Sequence, residues 1–116
     1  MSKEKHVEKS IAWAKKKGFT DIKATIEGFE NPINFTRSND NKEFTPDLSA
    51  VYNGKKFYMQ VVLKADDLKE TKEHVTLFHT LAKMKSGKLY LMAPTGNLKF
   101  AQELAKELEL SEVIHI

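Results

Sequence analysis

Residues 45–64, TPDLSAVYNGKKFYMQVVLK, place two strand-like runs on either side of Asn53-Gly54, in the pattern of a tight β-hairpin. Asn53-Gly54 is the strongest two-residue signal for its turn, because both residues tolerate the positive φ angles of a type I′ turn. Counting outward from this loop places Asp47 directly opposite Gln60, on the same face of the sheet and with Cβ atoms roughly 5 Å apart. The sequence therefore predicts a polar pair at the open end of the hairpin.

The second strand of this hairpin should have two different faces, because side chains alternate along a strand. One face is fully apolar and is expected to lie in the core; it comprises Phe57, Met59, Val61 and Leu63. The opposite face is expected to be half-exposed; it comprises Tyr58, Gln60, Val62 and Lys64. At about 3.3 Å per residue, Lys64 lies about 13 Å beyond Gln60 along this face.

Helical and strand periodicities predict elements over most of the remaining chain. Helices are predicted over residues 2–17, 67–85 and 95–108, with Ser2, Asp67 and Thr95 as their N-caps. The apolar stripe of the second helix comprises Leu68, Val75, Phe78 and Ala82. Further strands are predicted over 21–28, 88–93 and 112–116, and residues 29–44 form either a functional loop or partly an extra strand around 33–36. The order αβββαβαβ predicts an α/β fold, in which a mixed sheet of about five strands carries helices on both faces.

Composition limits the class of protein. A chain of 116 residues without repeats predicts a single domain over residues 1–116, and 41% hydrophobic with 30% charged residues is ordinary for a globular protein. Cysteine is absent, which suits a reducing compartment. No apolar run approaches the length of a membrane span, and the first residues lack the apolar core of a signal peptide. We therefore expect a cytoplasmic protein without a membrane partner.

The hairpin also carries a short motif. Pro46-Asp47, followed after twelve residues by Gln60-Val61-Val62, resembles the motif of the PD-(D/E)XK nuclease superfamily, which includes type II restriction enzymes and archaeal Holliday junction resolvases. The resemblance covers most of the chain, because the element order around the motif also matches, and it implies a restriction-endonuclease-like fold. Asp47 matches the metal-binding Asp of the family. Gln60 stands where the second acidic residue belongs, and Val62 stands where the catalytic Lys belongs.

The resemblance implies Mg²⁺-dependent phosphodiester cleavage, and the two departures predict that this activity is weak or absent. Mg²⁺ is normally held by one or two carboxylates plus substrate phosphates, whereas Gln60 offers only an uncharged carbonyl oxygen. Lys64 is the nearby substitute for the missing Lys. In an active protein, Asp47 and Gln60 would hold Mg²⁺ and Lys64 would assist the attacking water.

The charge of the chain limits how it would contact nucleic acid. Lys and Arg total 19 against 16 Asp and Glu, and Arg37 is the only arginine. Base recognition by Arg forks is therefore nearly absent, and Lys–phosphate contacts without sequence specificity are predicted. The candidate contacts are Lys15, Lys16, Lys17 and Arg37. The alternative function is a non-catalytic protein-interaction module that forms a homodimer through a sheet edge or the Lys-rich first helix.

Overall fold

The architecture comes from a computed structural model that describes residues 3–109 and 112–116. The elements follow along the chain as α1 (Glu4–Lys16), β1 (Thr20–Ala24), β2 (Phe35–Thr36), β3 (Glu43–Phe44), β4 (Leu48–Tyr52), β5 (Lys55–Val61), α2 (Leu68–Met84), β6 (Lys88–Ala93), α3 (Leu98–Glu107) and β7 (Val113–His115). This order differs from the predicted αβββαβαβ by β2 and β3, which pair antiparallel with each other inside the 29–44 segment.

The main sheet has the strand order β1-β4-β5-β6-β7. Its first two pairings are antiparallel and its last two are parallel, so the sheet is mixed. On one face α1 packs its buried Val7, Ile11 and Ala14 against the sheet, and on the other face α2 and α3 bury a second apolar cluster. The predicted α/β class, with a five-stranded mixed sheet between helices, is confirmed.

The predicted hairpin register is confirmed. Asn53 and Gly54 form the two-residue turn with φ angles of 53° and 75°, as a type I′ turn requires. Tyr52 pairs with Lys55, and the pairing continues inward without a bulge to Leu48 and Met59. This register brings Pro46-Asp47, immediately before β4, alongside the end of β5.

The predicted half-exposed face of β5 is wrong. Tyr58 and Val62 are each 1% exposed and belong to the apolar cluster under α2 and α3, and Gln60 is 7% exposed. The reason is topological, because β5 is the central strand and lies parallel to β6, whose crossover helix α2 covers this face. The strand ends at Val61, so Lys64 lies beyond it in an exposed turn.

The helix starts agree only in part with the sequence. Asp67 caps α2, because its side chain accepts hydrogen bonds from the backbone N–H groups of Lys69 and Glu70. Thr95 is not the cap of α3, whose N-cap position is occupied by Asn97 without a capping side-chain bond. Leu68 is 47% exposed rather than buried on its stripe. The predicted N-cap Ser2 lies outside the described residues.

Candidate functional site

The open end of the hairpin is closed by a reciprocal pair of hydrogen bonds. The backbone N–H of Asp47 donates to Oε1 of Gln60 at 3.1 Å, and the backbone N–H of Val61 donates to Oδ2 of Asp47 at 2.9 Å. Side-chain hydrogen bonds replace the backbone pairing of the two strands here, because β4 begins only at Leu48 and Pro46 has no backbone N–H. Asp47 and Gln60 are therefore neighbours, as the register predicts, and each satisfies a buried backbone donor.

A lysine from the start of the chain completes this cluster. Nζ of Lys3, the residue before α1, lies 3.0 Å from Oδ2 of Asp47. The Asp47 side chain is only 12% exposed, whereas that of Lys3 is 35% exposed. An ammonium group therefore compensates the charge of this carboxylate at Oδ2. The sequence offered no signal for this pair, because 44 positions separate the two residues.

The donor set does not fit Mg²⁺. Oδ2 of Asp47 already accepts one backbone N–H and faces one ammonium group, and Oε1 of Gln60 accepts the Asp47 N–H. Mg²⁺ needs near-octahedral oxygen ligands and usually one or two free carboxylates. Within residues 3–109 and 112–116, no group of three or more His, Cys, Asp or Glu side chains is placed to hold a metal ion.

Lys64 is not placed with Asp47 and Gln60. Its backbone N–H donates to Oδ1 of Asn97 at 2.8 Å, which fixes the turn against the start of α3. Two hollows flank the Asp47–Gln60 pair, with volumes of about 280 and 330 Å³, and Lys3 lines both of them while Lys64 lines neither. The cation that the structure supplies at this site is therefore Lys3.

Carboxylates dominate the surroundings of both hollows. We call this region the acidic end, and it comprises Glu4, Glu27, Asp47, Asp66, Asp67 and Glu70. The positively ionisable side chains among the lining residues are Lys3 and His74. The lining of the two hollows is therefore mainly acidic, although Asp47 pairs with Lys3 and Glu70 pairs with Lys42.

Lysines gather at the opposite end of the molecule, around the turn of the hairpin. We call this region the basic end, and it comprises Lys15, Lys16, Lys17, Lys23, Lys55, Lys56, Lys85 and Lys88. The segment after α1 contacts the turn of the hairpin, because a Cβ on Gly18 would lie 3.6 Å from the Tyr52 ring. A Cβ on Gly87 would collide with the carbonyl oxygen of Lys56, so the segment after α2 also packs against the hairpin.

Burial and neighbouring positive charges act together on Lys56 in the basic end. The pKa of Lys56 is lowered, first by burial and then by the charges of Lys23 and Lys85, although Asp21 partly offsets this. In the described part of the chain, no salt bridge is formed by Lys15, Lys16, Lys17, Lys55, Lys56 or Lys85. Lys23 and Lys88 lie 3.9 and 3.3 Å from Glu30 and Glu112. The basic end therefore carries largely uncompensated positive charge.

Arg37 is separated from Lys15, Lys16 and Lys17. Its guanidinium donates two hydrogen bonds to Asp40, from Nε at 3.1 Å and from Nη2 at 2.7 Å, and it lies 5.1 Å from the centre of the Phe44 ring. These bonds hold the pKa of Asp40 at about 2. Arg37 also faces Glu73 of α2, so it lies on the sheet face opposite α1. The guanidinium group of Arg37 is therefore already engaged in intramolecular hydrogen bonds.

Sequence reasoning identified part of the basic end but missed the rest. Lys15, Lys16 and Lys17 are a visible run, whereas Lys56 and Lys85 become neighbours only through the parallel pairing of β5 and β6. The available signal was the hairpin turn, which places Lys55 and Lys56 beside Tyr52 at the end of the sheet.

No helix in the described ranges is long and apolar enough to cross a bilayer. Comparisons of the chain with models of known protein families, with curated proteins and with solved structures find no match.

Proposed function

We propose that this protein is a nucleic-acid-associated domain of PD-(D/E)XK nuclease descent that binds phosphate backbones at its basic end and does not cleave them. The observation that carries this proposal is the separation of the motif from the unpaired lysines. Asp47 lies at the start of β4 and Tyr52 at its end, so about 17 Å separates them at about 3.3 Å per residue. Lys3 and Lys16 lie about 20 Å apart along α1.

Descent from this superfamily is supported by where the motif falls in the fold. A five-stranded mixed sheet with α1 on one face and α2 and α3 on the other is compatible with a restriction-endonuclease-like fold. Within it, Pro46-Asp47 and Gln60 lie side by side at the open end of a hairpin, as the resemblance requires of the metal-binding positions. The geometry of the pair is thus preserved while its chemistry has changed.

Loss of cleavage follows from three residues of the motif region. Gln60 brings no negative charge, and its oxygen is used by the Asp47 N–H. Lys3 neutralises the one motif carboxylate. Val62, where the family has its catalytic Lys, is 1% exposed inside the core and cannot be replaced by a solvated ammonium group without repacking.

Phosphate binding at the basic end would relieve the repulsion among its lysines. Exposed lysines that lack carboxylate partners are free to contact phosphates and to release the counterions condensed on nucleic acid. The overall charge of only +3 limits the affinity, and we expect dissociation constants of roughly 10⁻⁴ to 10⁻⁶ M at physiological salt. Since Arg37 is engaged with Asp40, this binding should not discriminate between sequences.

A salt titration with two matched triple variants tests this proposal. Replacement of Lys15, Lys16 and Lys17 by Gln should weaken binding of a labelled oligonucleotide and reduce the slope of log K against log salt by about 2 to 3. The control replaces Lys5, Lys69 and Lys99 by Gln, which removes the same charge from exposed second positions of the three helices. Equal effects of the two variants, or no binding by the wild type at low salt, would overturn the proposal.

Cleavage is tested separately with the same oligonucleotides. The wild-type protein should release no product in the presence of Mg²⁺ or Mn²⁺, and Asp47→Asn should bind as the wild type does. Metal-dependent cleavage that disappears in Asp47→Asn would show that the motif is active and would contradict the non-cleaving part of the proposal.

The second candidate is the non-catalytic interaction module, and a groove along α2 favours it. The groove has a volume of about 670 Å³ and is lined by Leu68, Lys69, Lys72, Glu73, Thr76, Leu77, Thr80 and Arg37. Its exposed Leu68 would be covered in a homodimer. Sedimentation of the wild type and of Leu68→Glu tests this candidate, which predicts a dimer that the charged residue dissociates. A monomeric wild type at micromolar concentration would contradict it.

A further inference from the structure

We infer that the basic end takes single-stranded nucleic acid and that the ring of Tyr52 stacks on one of its unpaired bases. This inference rests on the proposed function, since it names the form of nucleic acid that the same surface would bind. Tyr52 is an exposed aromatic residue among cations, since 43% of it is exposed at the turn of the hairpin.

The position of the Tyr52 ring is fixed by its neighbours. The centres of the Tyr52 and Phe19 rings lie 5.3 Å apart, and a Cβ placed on Gly18 would lie in ordinary van der Waals contact with the Tyr52 ring, at 3.6 Å. Phe19 is in turn held by Trp13 and Phe57, at ring-centre distances of 5.8 and 5.1 Å. One part of the ring therefore contacts an aromatic cluster, and the exposed part is accessible to a planar ligand.

Two exposed lysines neighbour Tyr52 in the fold. Lys55 is the direct cross-strand partner of Tyr52, so the two side chains lie on the same face with Cβ atoms roughly 5 Å apart. Lys17 precedes Gly18 and is also exposed. An aromatic ring beside lysines is the combination by which proteins hold single strands, because the ring stacks on a base while the lysines contact the backbone.

A duplex cannot stack on the Tyr52 ring except at its ends. Bases within a duplex are paired and stacked on each other, whereas the bases of a single strand are free to stack on a side chain. Every base has a π-face, so stacking on Tyr52 tolerates any sequence. The neighbouring lysines recognise the phosphate charge that DNA and RNA share, and we therefore expect oligo(dT) and oligo(rU) to bind with similar affinity.

Fluorescence anisotropy with three probes tests the inference. The probes are labelled oligo(dT) and oligo(rU) of about 20 nucleotides, longer than the ~4–16 nucleotides a small domain covers, and a duplex of the same length. The wild type should bind both single strands more tightly than the duplex. Tyr52→Ile retains a strand-forming residue and an apolar contact for Phe19 but removes the π-face, whereas Tyr52→Phe retains the π-face.

Tyr52→Ile should bind the single strands roughly 5- to 150-fold more weakly than the wild type, since stacking contributes about 1–3 kcal/mol per base, and it should bind the duplex unchanged. Tyr52→Phe should stay within about twofold of the wild type on every probe. Thermal unfolding of each variant establishes that the hairpin is intact. Unchanged single-strand binding by folded Tyr52→Ile would overturn the inference and leave the proposed function standing. Absence of wild-type binding to all three probes would overturn both.

Discussion

Asp47 forms two hydrogen bonds across the open end of the hairpin, because its backbone N–H donates to Gln60 Oε1 at 3.1 Å and its carboxylate accepts the N–H of Val61. A metal site and this structural pair require the same feature of a sequence, namely two oxygen-bearing side chains that face each other. The pair alone does not distinguish the two roles. The position of Lys3, 3.0 Å from the carboxylate, favours the structural one.

Asp47→Ala should lower the free energy of unfolding by about 1–3 kcal/mol, because it leaves the buried N–H of Val61 without an acceptor. Asp47→Asn keeps an acceptor oxygen and should cost less. Urea unfolding of both variants measures the difference. Asp66→Ala is the control, since it removes an exposed carboxylate from the same region and should stay within about 0.5 kcal/mol of the wild type. Equal effects of Asp47→Ala and Asp66→Ala would contradict a structural role for Asp47.

Val62→Lys should destabilise the fold by about 3 kcal/mol or more, because it places an unpaired charge in the cluster beneath α2. Val62→Ala leaves only a small cavity at the same position and should cost about 1–3 kcal/mol. Comparing the urea midpoints of the two variants separates buried charge from lost packing. A Val62→Lys variant as stable as the wild type would mean that this face of β5 is open.

Lys56→Met should make the free protein slightly more stable and its binding to nucleic acid weaker. The folded-state pKa of Lys56 is lowered below 10.5, so the charged form opposes folding at neutral pH and stability should rise as the pH approaches that ordinary value. Partial exposure of Lys56 keeps the gain in stability small. Urea unfolding and anisotropy measure the two effects. A loss of stability together with unchanged binding would contradict a ligand-binding role for Lys56.

Asp40 should titrate near pH 2. Hydrogen bonds from Arg37 and then from the Lys42 N–H lower its pKa from 3.8 to about 2. Because the folded-state pKa is depressed, the stabilisation is fully present above about pH 3.8 and is lost as the pH falls through about 2. An NMR titration of the Asp40 carboxyl carbon checks this, with Arg37→Gln as the variant that should restore a higher pKa. A wild-type midpoint near 3.8 would show that the Arg37–Asp40 pair does not form.

Features decided by neighbouring residues were predictable from the sequence. Asn53-Gly54 determines the register of β4 and β5 because its two positive φ angles allow only a tight turn. Asp67 caps α2 because its carboxylate reaches N–H groups two and three residues ahead. Each of these signals is complete within a few positions of the chain.

Features decided by distant segments were not predictable. The Asn97 side chain accepts the N–H of Lys64, 33 positions earlier, and this contact places the start of α3 later than the Thr95 signal suggested. The face of β5 that carries Gln60 is buried because the crossover helix α2 packs over it. The residue pattern of the strand alone predicts a half-exposed face. Lys3 meets Asp47 for the same reason, since only the packing of α1 on the sheet brings them together.

Nucleic acid is proposed to bind at the basic end and not at the motif, and an NMR titration of the backbone amides tests this most directly. On addition of oligo(dT) at low salt, we predict saturable shifts in the amides of residues 15–18, 52–56 and 85–88. The amides of Asp47, Gln60 and Val61 should remain unchanged. Shifts concentrated at those three residues, with the lysine segments unaffected, would contradict the claim and return the binding site to the motif.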